Sequence, residues 1–297
     1  MNLINNLLIL KLYNVIMKAK IKISNIPNYG FSLIELSAVL LILGLMIGGI
    51  MAVLTQDARR SKQTELALKI DAIEQAIGAF VKKNNRLPCP ADGTYSVSSA
   101  NFGVSGGTAG DGTCTTGATY DGNGIRTSDA TPPTANFSIT NIAGGVIPIR
   151  SLGLSDEYAF DPWGGRFTYA ADKRLTATDS FFTYSSINTT GGITVNDNDG
   201  NTRLSNAIAV VISHGQNGHG TFQLSGARKN AGSTNANELL NCNCTSGAVA
   251  SPWGSVFVMG ANIATSSTDL RTNFDDTLHY YTRGSFLNNI DIKTESK

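Results

Sequence analysis

The segment Ser213-His214-Gly215-Gln216-Asn217-Gly218-His219-Gly220 holds two of the three histidines in the chain. Imidazole is the commonest metal-binding side chain, and the thiols of Cys242 and Cys244 would complete a zinc-like set with His214 and His219. An H-x4-H spacing on a glycine-rich loop is a weak zinc signature, however, and tight hairpin chemistry accounts for the glycines better. Ser213 beside His214 is a poor nucleophile–base pair, because adjacent side chains on a strand point to opposite faces. In Asn196-Asp197-Asn198-Asp199-Gly200-Asn201, Asp197 and Asp199 offer oxygen ligands of the calcium type. Gly200 does not sit where an EF-hand loop needs its glycine, and the same residues make an ordinary Asn/Asp/Gly turn. No P-loop, dinucleotide fingerprint or hydrolase elbow occurs.

The four cysteines are Cys89, Cys114, Cys242 and Cys244. Three pairings are open. A Cys89–Cys114 bridge would close a loop of about 25 residues and contribute about 2–4 kcal/mol. Cys242 and Cys244 are two apart and pair with each other only under strain.

The elements that must carry these residues differ sharply along the chain. Beyond residue 90 the sequence is rich in Gly, Ser, Thr and Asn, a mix that favours turns and short strands. Residues 206–213, NAIAVVIS, read as a central strand. Residues 91–136 read as a long insertion. Before Pro88, Leu66, Ile70, Ile73, Ile77 and Phe80 recur at helical spacing, with Lys62, Glu65, Lys69, Asp71, Glu74 and Lys82 on other faces. That helix should stop at Asn84-Asn85. Upstream, Leu36 to Leu54 has neither charge nor proline. At about 1.5 Å per residue this run roughly matches the ~30 Å hydrocarbon core of a bilayer. Lys11, Lys18, Lys20 and Lys22 precede it and no acid comes before Glu35. That asymmetry keeps the N-terminus cytoplasmic and places all four cysteines across the membrane, where an oxidising compartment permits disulfides. Joined, the two segments make one helix from about Phe31 to Lys83, on the order of 80 Å long. Gly44, Gly48 and Gly49 are its weak points. A net charge of +1 gives no field that would attract nucleic acid.

Gly30-Phe31-Ser32-Leu33-Ile34-Glu35-Leu36, followed directly by the apolar run, resembles the cleavage and methylation motif of the type IV pilin superfamily. That superfamily comprises pilins, minor pilins and the pseudopilins of type II secretion. The resemblance implies that a prepilin peptidase cuts after Gly30 and that Phe31 becomes the methylated N-terminus. It also implies that Glu35 pairs with the N-terminal ammonium of a neighbouring subunit and sets axial register in a filament. The leader would be residues 1–30, or a shorter basic leader if Met17 is the start. Residues 31–54 would be the transmembrane and assembly half of the helix, 55–85 its amphipathic half, and 86–297 an extracytoplasmic β-rich head. The turn Asp161-Pro162-Trp163-Gly164 is similar to the DPWG turn of major pseudopilins, and Ser251-Pro252-Trp253-Gly254 repeats it. Major pseudopilins bind calcium, which would fall to Asp197 and Asp199; no other cofactor is expected.

The expected fold is therefore α+β: a long N-terminal helix packed on an antiparallel β-sheet head with long loops. The expected function is a structural subunit, a minor pilin or pseudopilin in the inner membrane, and not an enzyme. Its partners would be the peptidase, other pilin-like subunits and the membrane. Two rivals are a tip subunit whose head binds a surface or secreted substrate, and an envelope metalloenzyme using His214 and His219.

Overall fold

The computed structural model describes residues 32–106, 114, 142–183, 191–229, 233–245, 248–249, 254–260 and 274–286; for 46–56, 58, 182–183, 244–245 and 248–249 it describes the backbone alone. The chain divides into two units, residues 1–57 and 58–297. A helix, α1 (Leu33–Asn84), crosses the boundary without interruption. Gly44, with nothing near it, does not break the helix.

In the first unit the described side chains of α1 are exposed, and most are apolar, among them Leu33 at 87% and Leu45 at 70%. Among the described residues no helix is long and apolar enough to cross a membrane. Side chains 46–56, the second half of the apolar run, lie outside the described residues, as do Gly30 and Phe31.

In the second unit the amphipathic pattern decides the packing. Leu66, Ile70, Ile73, Ile77 and Val81 are buried along one stripe. Val81 takes the last slot that the spacing assigns to Phe80. Phe80 is half-buried, and the Arg86 guanidinium lies 5.1 Å over its ring. The helix ends as expected at Asn84. Asn85 adopts φ 53° and returns its amide to Val81 O at 2.8 Å, the left-handed cap for which asparagine is suited. Lys69 does not lie on a solvated face: it bonds Glu65 at 2.8 Å and donates to Phe160 O at 2.9 Å in the head.

The head contains nine short strands among its described residues. β1 (Ile142–Val146), β2 (Thr168–Asp172), β5 (Ala209–Ser213) and β9 (Thr277–Tyr281) form an antiparallel sheet in the order β1-β2-β5-β9. β3 (Ile193–Asn196), β4 (Thr202–Ala207) and β8 (Val256–Val258) form a second sheet in the order β4-β3-β8. The pairing of β3 with β8 is parallel, so the head is not wholly antiparallel as expected. β6 (Cys244–Thr245) and β7 (Ala248–Val249) pair with each other. The run 206–213 is not one strand. It breaks at Ile208, leaving β4 in the second sheet and β5 at the centre of the first.

Period-two alternation sorts the core into two layers. Tyr169, Ala171, Ala209, Val211 and Tyr281 face α1 and close over its stripe. Ala170, Val210, Ile212 and Leu278, the alternate residues, meet Ile193, Val195, Ala207 and Phe257 of the second sheet. The centre of the four-stranded sheet is thus covered on both faces, and every residue of β2 and β5 is buried.

Two devices close the first part of the insertion. Cys89 and Cys114 are bonded across a separation of 25 residues, with their Cα atoms 5.3 Å apart. Arg166, 1% exposed, donates to Gly93 O at 3.0 Å and Tyr95 O at 2.5 Å, with its guanidinium 4.2 Å from the Phe102 ring centre. Residues 107–113 and 115–141 lie outside the described residues, as does the second turn at 251–253.

Candidate functional site

Two places in the chain gather chemistry. The first is the start of α1. Ser32 precedes the first helical residue and its Oγ accepts from Ile34 N at 3.4 Å. Glu35, three residues on, accepts the Ser32 amide through Oε2 at 3.3 Å. This reciprocal arrangement is a capping box, and S-x-x-E is its sequence signature. A local role for Glu35 was therefore readable from spacing alone: it satisfies an otherwise unpaired amide and places negative charge at the positive end of the helix.

The second place is in the head, where β5 runs out into the histidine loop. Ser213 donates from Oγ to Asp161 Oδ2 at 2.6 Å. Asp161 in turn receives Trp163 N at 3.0 Å and Gly165 N at 2.9 Å through Oδ1, and Gly164 N returns to Asp161 O at 3.0 Å. The Asp-Pro-Trp-Gly turn is thus pinned to the end of the central strand. Burial raises the Asp161 carboxyl above its usual range in spite of these donors.

His214 and His219 are both buried, and each has a ring nitrogen held by protein. His214 Nε2 lies 2.8 Å from Thr168 Oγ1, and its Nδ1 is 3.5 Å from Asp276 Oδ2. His219 Nε2 accepts Ser233 N at 3.1 Å, so that nitrogen carries no proton. Burial, then the neighbouring His214, pushes the His219 imidazole down to about 4. Cys242 is disulfide-bonded, which removes the thiolate a zinc ion would need. The Cys244 side chain lies outside the described residues. The weak zinc-like set thus lacks the Cys242 thiolate.

Asp197 and Asp199 sit in the turn between β3 and β4. Asp197 Oδ1 accepts Asn201 N at 2.8 Å and Asp199 N at 3.1 Å, while Oδ2 lies 3.3 Å from Arg203 Nε. Those donors hold the Asp197 carboxylate below its ordinary range. The group closes its own turn, and among the described residues no third acidic side chain joins it.

The loop assembles a different set. Its neighbours are α2 (Ala236–Asn241), capped by Asn235, and the segment Phe274-Asp275-Asp276 that enters β9. Glu238, Asp275 and Asp276 bring oxygens within 4.8 Å of one another. Each carboxylate is held through one oxygen. Asn217 Nδ2 donates to Glu238 Oε1. Gln216 N and Asn217 N donate to Asp275 Oδ2 at 2.8 and 3.2 Å. Asn241 Nδ2 donates to Asp276 Oδ2 at 2.9 Å. The other oxygens, Glu238 Oε2, Asp275 Oδ1 and Asp276 Oδ1, are buried without a hydrogen-bond partner. Burial and the adjoining Asp276 push Glu238 up to about 8, and burial also raises Asp275.

Two glycines make the approach feasible. Gly215 has φ +60°, and a Cβ there would stand 2.5 Å from Asp275 O. A Cβ on Gly260 would overlap Asp276 O. Sequence reasoning found the histidine loop but missed Glu238, Asp275, Asp276, Asn217 and Asn241. The adjacent acids of Phe274-Asp275-Asp276 and the Asn-capped α2 were the available signals, yet nothing local joins segments so far apart in the chain.

Neither a known protein family nor any curated protein or solved structure matches this chain.

Proposed function

We propose that this chain is a structural subunit of the type IV pilin-like kind, cut after Gly30 and assembled through α1. One observation carries the reading. The motif Gly30–Leu36 leads directly into a helix whose front residues are apolar and exposed while its rear stripe is sealed into a folded head. A helix with large unpartnered apolar side chains over several turns needs a lipid or protein environment. On this reading the charge-free run Leu36–Leu54 first anchors the precursor in the inner membrane. It then packs against neighbouring subunits, with Glu35 pairing to the new amine on Phe31 of the next. The head stays extracytoplasmic, where its disulfides persist. The protein acts by assembly and not by catalysis, as a minor pilin or a pseudopilin.

Mass spectrometry of protein from cells that contain the peptidase tests the processing step: the mature chain should begin at monomethylated Phe31. A retained leader refutes the proposal. The role of Glu35 is tested by two substitutions. Glu35→Gln keeps the capping box but removes the charge, and Glu35→Val removes both. If charge pairing drives assembly, both variants should crosslink poorly to other subunits. Gln crosslinking as well as wild type would assign Glu35 to the helix cap alone.

A further inference from the structure

We propose that Arg59, Arg60, Lys62 and Trp163 form a docking surface for the phosphate headgroups of an anionic phospholipid bilayer, which holds the base of the head against the membrane. The inference rests on the pilin-like reading for the position of the bilayer, and adds to it a lipid contact made by the head itself. The charge-free run ends at Leu54, and Arg59 follows it by five residues on the same uninterrupted helix. Five helical residues rise about 7.5 Å. The headgroup layer adds about 5–8 Å on each side of the hydrocarbon core, so the basic residues reach the level of the phosphates. Basic residues are ordinarily scarce on the translocated side of an anchor, and Arg59, Arg60 and Lys62 stand there almost in succession.

These cations are open to a partner. All three are exposed. Among the described residues none of them forms an ion pair. Glu65, the next acid along α1, is bonded to Lys69 at 2.8 Å, which leaves Asp57 as the exposed acid beside them. Helical periodicity sets the direction in which they face. Arg59 precedes Leu66 by seven residues and Lys62 precedes it by four, so both lie on the side of α1 that carries the buried stripe. The head covers that side at Leu66 and leaves it open at Arg59 and Lys62.

Trp163 is an independent observation. It belongs to the Asp161–Gly164 turn of the head, yet Lys62 Nζ lies 5.8 Å from its ring centre, so that turn stands beside the basic residues. The indole packs on the core cluster and remains half-buried, between half-buried Pro162 and exposed Gly164. Asp161, the acid of the turn, is buried and bonded to Ser213 at 2.6 Å, so the turn offers lipid no carboxylate. An indole, apolar with one N–H donor, favours the membrane–water interface. Guanidinium groups fork onto phosphate oxygens, and each basic side chain at an anionic surface strengthens attachment about fivefold.

The chain has two tryptophans, and Trp253→Phe leaves Trp163 as the sole indole. The full chain with that change is reconstituted into phosphatidylcholine vesicles with and without phosphatidylglycerol, and a nitroxide on the lipid headgroup quenches its fluorescence. Quenching should be stronger with phosphatidylglycerol and should weaken as salt rises. Arg59→Gln with Lys62→Gln should abolish most of that dependence, since two charges amount to about 25-fold in attachment. Lys82→Gln with Lys83→Gln removes the same charge from exposed positions at the far end of α1 and should leave it intact. Should Trp253→Phe fold poorly, hydrogen exchange on the wild-type chain decides instead: phosphatidylglycerol should slow exchange in 161–165. Equal quenching in the two lipids, equal loss in the two double variants, or no added protection of 161–165 would overturn the proposal and leave the pilin-like reading standing. A chain that does not float with the vesicles would overturn both.

Discussion

Replacing Ile73 with alanine probes how the rear half of α1 belongs to the head. Ile73 is 0% exposed and lies in the cluster formed with Tyr169, Ala171, Ala209 and Val211. The change deletes three carbons. At about 0.8 kcal/mol per buried methylene, the lost transfer free energy is about 2.4 kcal/mol. The cavity left behind adds to this, while the better helix propensity of alanine returns a few tenths of a kcal/mol. A net loss of about 3 kcal/mol follows, which lowers Tm by roughly 6–12 °C for a unit of this size. The comparison is Leu41→Ala on the same helix, where the side chain is 65% exposed. That change should stay within about 0.5 kcal/mol. The assay is thermal and urea unfolding of the full chain in detergent, followed by circular dichroism and by Trp163 fluorescence. Trp163 packs on the same core, with Lys62 Nζ 5.8 Å from its ring centre. Equal effects of the two substitutions, or an Ile73→Ala loss under about 1 kcal/mol, would refute the placement of this stripe in the core.

Removing the Cys89–Cys114 bridge with a double serine substitution should cost about 3.5 kcal/mol from the 25-residue separation, read as a lower urea midpoint under non-reducing conditions. Arg166→Met should free the segment 92–105, because Gly93 O and Tyr95 O lose their donor; new sites of limited proteolysis there are the readout. His279 is held below its ordinary value by burial. The unfolded chain protonates it near pH 6.5 while the folded chain resists, so its contribution is complete above that pH and is lost as pH falls. His279→Gln should therefore flatten the fall in stability between about pH 6.5 and pH 5, and an unchanged profile would remove His279 as a cause.

What the sequence determined by itself is whatever short-range periodicity can encode. The spacing of Leu66, Ile70, Ile73 and Ile77 specified a buried helical stripe, and Asn84-Asn85 before Pro88 specified its end. The apolar β-branched run before Ser213 announced a central strand. Asp161 to Gly164 announced a turn. The S-x-x-E at Ser32–Glu35 was equally legible as a cap, although a longer-range role draws attention first. Even here packing adjusted the details. Val81 replaced Phe80 because the sheet closes over a point one residue further round the helix. The break at Ile208 moved half of an apparently single strand into another sheet.

Only tertiary structure could decide which polar residues meet. His214 and His219 stand in one short loop, and their proximity in sequence suggested a shared ligand. Folding instead gave Thr168 to one and Ser233 to the other. Glu238, Asp275 and Asp276 come from α2 and from the edge of β9. Their meeting follows from the order of strands β2-β5-β9, which brings the last strand beside the central one and the loop that leaves it. Strand order is a long-range property: it depends on which apolar faces bury each other best, and no local pattern records it. The Cys89–Cys114 bridge, by contrast, is the pair that the sequence favoured, and Cys242 has a different bond. Local chemistry in this chain is written in neighbouring residues, and the site in the head is written only in how the sheets stack.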